Sequence, residues 1–320
     1  MSETVIDSSG ETQFGEMLRR ELVQGDRALA GVPPVLGHML ASTAPSLVSD
    51  DILAHIRGML GDISRQLIRA ETAALHSDRN PEEIQDRVDR LSNHLAASSA
   101  LLSFSFALAV EGQLAEELQE RTGIDQVLTP MMQELIASDD ESVAELAMAT
   151  LAAQARFIQA HRRMSLPLGE LPAELFHEIL RSWSHFAKDV SPASKTQVEG
   201  LLRAAYDESG SRTGMLGRLV STMNSGARAG LVIGHSGLAL FATALARLSY
   251  QPREMAVLSC HTSQLARLAL GLLASGFEPD EIAHTFMQLH PDYSPPRGIK
   301  SLNQEQAAEL LASTMPGSGS

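Results

Sequence analysis

SDDILAHIRGMLGDISRQLIRAETAA, residues 49–74, decides the fold. Its apolar positions Leu53, Ile56, Leu60, Ile63, Leu67, Ala70 and Ala74 advance by alternating steps of three and four. That is the spacing of a helix that buries one narrow stripe against a partner helix. Ser49 stands where an N-cap belongs, and Asp50 and Asp51 put negative charge at the positive end of the helix dipole. The next helix starts at Asn80-Pro81, with Glu82 and Glu83 in its first turn. The connection around Ser77 to Asn80 is short enough for an antiparallel αα-hairpin. The same seam pairs as readily with a second copy of the chain as within one chain.

Helix-start signals of this kind recur outward from the hairpin. Thr129-Pro130, Ser191-Pro192, Gln251-Pro252 and Glu278-Pro279 each put proline in the first turn of an apolar-periodic segment. Proline suits that place because its missing N–H has no intrahelical partner there. Ser138 and Glu141 have capping-box spacing before a helix that runs to about Arg163. Further on, helices are expected at about 172–188, 192–208, 214–224, 237–249, 252–260, 263–275, 279–289 and 303–313. Gly276 sits at a C-cap position. Nearer the N-terminus, Phe14 to Val23 reads as a short amphipathic helix. Gly31-Val32-Pro33-Pro34 reads as a break before a second short helix over Val35 to Leu40.

Composition agrees with an all-α chain. Aromatics make up only 4% of the 320 residues while Ala and Leu dominate, which favours close helix packing over sheets. The expected organisation is an unstructured N-terminus over 1–12, a helical bundle over 13–165 built on the long hairpin, an array of packed helix pairs over 166–314, and a flexible tail over 315–320. The break at Leu166-Pro167-Leu168-Gly169 marks the boundary between the two halves.

Charge and cysteine usage exclude several roles. A formal charge of −14 repels phosphate backbones and anionic lipid, so nucleic acid is not an expected partner. Cys260 is the only cysteine, which rules out an intrachain disulfide and fits a reducing, cytoplasmic setting. The polar, acidic start lacks the basic and apolar regions of a signal peptide. Leu91 to Val110 carries no formal charge and has the length of a membrane span. Asn93, His94 and its serines make a buried bundle helix the better reading.

Two segments carry a resemblance. One is Arg162-Arg163-Met164-Ser165-Leu166-Pro167-Leu168-Gly169-Glu170-Leu171-Pro172, running into Glu174-Leu175-Phe176-His177. The other is Gly237-Leu238-Ala239-Leu240-Phe241 with Ala244 to Leu248, Glu254, Ala256 to Leu258, Leu265 to Leu270 and Ala274-Ser275-Gly276-Phe277. Together they resemble an alphaproteobacterial, sphingomonad-like family of helical domains of unknown function, over roughly Glu145 to Ser313. The resemblance implies a helical fold and a bacterial cytoplasmic setting, and it names no catalytic residue.

Chemical motifs are incomplete. His55-Ile56-Arg57-Gly58 resembles a histidine phosphotransfer site. His55 lies off the heptad seam on a face with Asp62 and Gln66, which predicts exposure, but the spacing is one residue short and rotates Arg57 by about 100°. Gly234-His235-Ser236-Gly237 lacks the closing glycine of a nucleophile elbow, since Leu238 stands there, and Ser236 reads as a helix cap. His177-Glu178 begins like a zincin helix, but Arg181 occupies the second histidine's place, and His177 and His185 are too far apart to share a metal without distant ligands. Cys260 beside His261 reads as a small buried thiol, because adjacent helical side chains diverge. The glycines 226, 230, 234 and 237 read as close packing or a joint, with neither the strand nor the lysine of a phosphate loop. His161-Arg162-Arg163 is a basic cluster that suits a helix C-terminus and offers contact to an anion or an acidic partner.

These readings lead to a non-catalytic interaction or regulatory scaffold that binds another protein, or a second copy of itself, through helix faces. It would need no metal, no cofactor, no nucleic acid and no membrane. The alternatives are a phosphorelay component with His55 as acceptor, and a helical domain that senses a small molecule in a pocket between the halves.

Overall fold

A computed structural model describes residues 8–41, 49–75 and 80–313, and among these described residues 81% are helical and none lies in a strand. In chain order the helices are α1 (Ser8–Ala41), α2 (Asp50–Leu75), α3 (Pro81–Leu95), α4 (Ser99–Thr122), α5 (Pro130–Ile136), α6 (Glu141–Arg162), α7 (Ala173–Phe186), α8 (Pro192–Ala205), α9 (Arg212–Thr222), α10 (Ile233–Leu248), α11 (Arg253–Ser259), α12 (Leu265–Ala274), α13 (Pro279–Leu289) and α14 (Gln304–Ala312). The all-α class read from periodicity is therefore what the chain forms.

The helices fall into two compact units that interleave along the sequence. One gathers Met1–Gly31, Gln113–Val143 and Leu219–Ser320. The other gathers Val32–Gly112 and Ala144–Arg218. The sequence reading cut the chain once, near Leu166, because periodicity reports neighbours along the chain and says nothing about which distant segments pack together.

In the second unit α2 packs against α3 and α8, and α3 against α7. The heptad seam is thus engaged within the chain: Leu53, Ile56, Leu60, Ile63 and Leu67 are buried on α2, and Val88, Leu91 and Leu95 on α3. Most of the connecting loop lies outside the described residues. Asn80 caps α3 by accepting from the Glu83 amide. A second stripe of α2, including Ile52, Met59, Ile68 and Glu71, is buried as well. The Glu71 carboxylate holds Arg87 at 2.9 Å and accepts from the Trp183 indole at 3.1 Å, while Arg87 also reaches Asp189. A buried carboxylate is tolerable only with such a full set of donors.

The uncharged run 91–110 is broken. α3 ends at Leu95, α4 begins at Ser99, and the pair is bent by 97°, so it reaches the length and apolarity of a membrane span only across that bend. Among the described residues no single helix is long and apolar enough to cross a membrane. Leu101, Leu102, Phe104 and Leu108 of α4 are buried in the protein.

In the first unit α10 packs against the 3-10 helix Asn224–Leu231, α5 and α11, and α12 packs on α14. Gly230 meets this packing closely: a Cβ there would stand 2.8 Å from the Ala244 methyl. α10 is kinked at Gly237, whose φ of +70° and close approach to Thr129 admit no side chain. Arg267, fully buried, donates to Gln251 and to Asp26.

Several local expectations are corrected. Residues 8–12 are the first turns of α1 and not an unstructured end; residues 1–7 and the tail 315–320 lie outside the described residues. Pro33 and Pro34 do not break α1, which runs through them. The prolines remove the donors that would reach Leu29 and Ala30. Leu36 and Met39 beyond them are buried. The cap of α6 is Asp140, whose Oδ1 accepts from the amides of Ser142 and Val143, in place of a Ser138–Glu141 box. Ser236 donates back to the Val232 carbonyl and caps nothing.

Candidate functional site

The polar face of α2 explains where the site lies. Asp62 Oδ2 accepts from the Leu166 amide at 3.1 Å, Gln66 Oε1 accepts from the Leu168 amide at 2.9 Å, and Gln66 Nε2 donates to the Leu166 carbonyl at 2.9 Å. Gly58, one turn earlier, lies directly under Met164. This stripe of one helix therefore clamps the irregular segment 164–168 by pairing the Leu166 amide and carbonyl and the Leu168 amide. Met164 takes a left-handed φ of +52° to make the turn.

His55, on the same face, is only 8% exposed, against the expectation of a solvated side chain. Its Nδ1 lies 2.9 Å from the Asp51 carbonyl, and its ring stacks on His161 with centroids 4.2 Å apart. A phosphoryl donor would have to reach a buried imidazole that is stacked on a second one. The face is polar because it bonds protein backbone, and spacing alone does not distinguish that from a face that bonds water.

The basic cluster His161-Arg162-Arg163 is divided. Arg162 and Arg163 are exposed, whereas His161 turns inward and is 5% exposed. Its ring lies against Gly112, where a Cβ would stand 2.2 Å from the imidazole. Its Nδ1 is buried without a hydrogen-bond partner. Burial is the main reason its pKa falls to about 4, with the neighbouring His55 and Arg212 adding to the effect and Asp51 and Glu111 opposing it.

Arg212 completes the site. It is 1% exposed and makes a bidentate pair with Glu111, Nη1 to Oε1 at 2.7 Å and Nη2 to Oε2 at 2.8 Å. Nη1 also donates to Gln154 at 3.1 Å, and the guanidinium lies 3.7 Å over the Phe157 ring. Its backbone amide donates to Glu170 at 2.8 Å, which joins the start of α9 to the 3-10 turn Leu168–Glu170 that follows the clamped segment.

Between these parts lies a partly enclosed cavity of about 180 Å³, lined by Met59, Leu108, Phe157, Leu166, His161 and Arg212 among others, with Arg156 and Glu170 contributing charge. All of its lining belongs to the second unit. The cavity can hold a small guest against an apolar wall, beside a neutral imidazole and a neutralised guanidinium.

Sequence reasoning missed Arg212, Gln154 and the cavity. Glu111 carried one signal, since it is the first charge after the uncharged run 91–110 and lies inside a helix. Arg212 sits in Ser211-Arg212-Thr213-Gly214, which carries no periodicity at all.

The other motifs are kept apart. Glu178 accepts from Ser98 at 2.6 Å, and His177 Nδ1 lies 2.9 Å from Arg203. Cys260 is buried, and its carbonyl lies 2.7 Å from His290 Nε2. His235 reaches Glu134 at 3.0 Å. Among the described residues no group of three or more His, Cys, Asp and Glu side chains is arranged to hold a metal ion. Comparison with protein families, with curated proteins and with solved structures finds no match to the chain.

The shifted imidazole makes stability depend on pH. His161 has its folded pKa at about 4, below the ordinary value of 6.5, so the unfolded chain binds the proton first as pH falls. Stability is complete above pH 6.5 and is lost as pH falls toward 4. Burial lowers His261 and His290 in the same direction. His161 alone is expected to account for about 2 kcal/mol once relaxation and solvent screening are allowed for. Urea unfolding at pH 7 and pH 5 measures this, and His161→Phe should flatten the dependence.

Proposed function

We propose that the chain is a non-catalytic regulatory protein that senses a small molecule through the cavity of its second unit. The observation that carries this reading is a partly enclosed cavity of about 180 Å³ whose wall sets Met59, Leu108, Phe157 and Leu166 beside a few polar groups, the buried His161 imidazole among them. Binding sites of this type pair an apolar lining with few polar groups. The clamped turn 164–168 is the element that reports occupancy, because a guest against Leu166 adds contacts to the residue whose amide and carbonyl are held by Asp62 and Gln66 of α2. A bacterial cytoplasmic setting, with Cys260 reduced, belongs to the same proposal.

Benzene is a suitable first probe, since an apolar cavity of roughly 150 Å³ accommodates it. Amide exchange at Leu166 and Leu168 should slow by about tenfold at saturating benzene, as expected when binding suppresses local opening. Binding that leaves both amides unchanged would remove the sensing role, and no binding at all would remove the site.

An interaction scaffold working through helix faces, with a second copy as its simplest partner, is a second reading. Tyr250 favours it: the ring is 88% exposed on a backbone with φ of +55°. Large aromatics at exposed positions are the residues that anchor protein interfaces. The mass of the chain in solution tests this reading; a dimer that Tyr250→Ser dissociates supports it, and a monomer opposes it.

A further inference from the structure

We propose that the groove bordered by the ends of α10 and α12 and the start of α14 binds a small alkylammonium ion. The groove lies wholly in the first unit, so the inference goes beyond the sensing reading and does not rest on it.

Tyr250 is the first observation. At the end of α10 the Ser249 amide donates to the Leu245 carbonyl, and the Gln251 amide to the Ala246 carbonyl. That pattern puts Tyr250 just past the helix cap, where the backbone turns left-handed and glycine is the usual residue. Tyrosine takes a φ of +55° there and leaves its ring 88% exposed. One residue thus combines backbone strain with an uncovered aromatic face, and neither is explained by packing.

The groove beside that ring is the second observation. It holds about 480 Å³. Leu248, Ala274 and Ala308 give it apolar surface, and Glu305 is the only lining residue with a formal charge. Ser249 and Ser275 donate their hydroxyl protons to the Leu245 and Gly271 carbonyls of their own helices. Neither hydroxyl is left to donate to an anion. Gln304 Nε2 donates to the Ala274 carbonyl.

Charge selects the guest. Leu248 and Ala274 end their helices, and a helix end carries about half a negative charge. α14 starts at the groove with about half a positive charge, which the full charge of Glu305 in its first turn outweighs. Arg247, in the last turn of α10, donates to Ser221 and does not line the groove. The face of an aromatic ring is itself negative. An anion here would meet Glu305 with no cation to pair it, and a neutral guest would gain apolar contact alone. An alkylammonium sets its charge against the ring and the carboxylate, with its methyl groups on Leu248, Ala274 and Ala308.

Tetramethylammonium, tert-butanol and pivalate share a branched apolar body and differ in charge. Titrating the full chain with each at pH 7, read by the Tyr250 ring resonances and the Ser275 amide, tests the proposal. Tetramethylammonium should bind roughly tenfold more tightly than tert-butanol, and pivalate more weakly than either. At the Ser275 amide, Tyr250→Leu should weaken tetramethylammonium binding roughly fivefold and Glu305→Gln roughly threefold. Tyr250→Gly should lose the preference for the cation and yet raise the Tm by about 2 °C, because glycine takes the left-handed backbone freely. A binding loss that comes with a gain in stability cannot be the result of unfolding. Equal binding of tetramethylammonium and tert-butanol, tighter binding of pivalate, or unchanged binding to Tyr250→Gly would overturn the proposal. A dimer that Tyr250→Ser dissociates would overturn it too, since a second copy would then occupy the ring. None of these outcomes touches the cavity of the second unit.

Discussion

Replacing Arg212 with methionine is expected to lower the stability of the folded chain by about 3–5 kcal/mol, and adding Glu111→Leu in the same chain is expected to return most of that loss. The cause is asymmetric. The Glu111–Arg212 pair is buried on both sides, so each charge has left water and depends on the other. Removing the guanidinium leaves Glu111 with an uncompensated charge and takes a donor from Gln154. It also uncovers the Phe157 ring that the guanidinium covers at 3.7 Å. Removing both charges leaves an apolar gap that leucine and methionine fill, and such replacements are often neutral. Chemical unfolding of the two single variants and the double variant gives the coupling directly. A coupling below about 1 kcal/mol would show that the pair is already solvated in the folded chain and that the cavity beside it is wet.

The sequence made the helices legible and left the site obscure, for a physical reason that particular residues illustrate. Asn80, Thr129, Ser191, Glu278 and Asn303 act locally, each within one turn of its own helix. Local capping is written in adjacent letters, so these helix starts were readable. Asp62 and Gln66 act on backbone about a hundred residues away. Nothing near them in sequence distinguishes that task from facing water, so His55 on the same face was expected to be exposed.

α1 makes the opposite point. Its two prolines are local signals of a break, and the helix continues through them. The passage from one compact unit to the other nevertheless falls at Gly31–Val32, just before them. The sequence thus marked a real boundary of packing and misjudged its form. The site was hidden most completely where it depends on no pattern. Glu111, Gln154 and Arg212 come from α4, α6 and the start of α9, and only folding brings them within hydrogen-bond reach.

Two glycines one turn apart on α2 should respond to the same substitution with opposite signs. Alanine is the better helix former by about 1 kcal/mol, so on propensity alone both Gly58→Ala and Gly61→Ala would stabilise the chain. Gly61 should obey that rule. A Cβ there meets nothing closer than the Arg65 guanidinium at 3.5 Å, an ordinary contact, and a gain of about 0.5–1 kcal/mol is expected. Gly58 should not. A Cβ there would stand 2.4 Å from the Met164 Cβ and 2.5 Å from the Met164 carbonyl oxygen. Backbone cannot rotate aside as a flexible side chain can, so the turn must lift away from α2. Lifting stretches the bonds from Asp62 and Gln66 to Leu166 and Leu168, each worth about 1 kcal/mol net. Overpacking adds its own 1–3 kcal/mol, so Gly58→Ala should cost about 3 kcal/mol after its gain in propensity. The same displacement moves Leu166 in the cavity wall, so benzene should bind to Gly58→Ala at least tenfold more weakly than to Gly61→Ala. Equal stability of the two variants would mean that the clamp on 164–168 does not hold that turn in place, and the sensing role assigned to it would go with it.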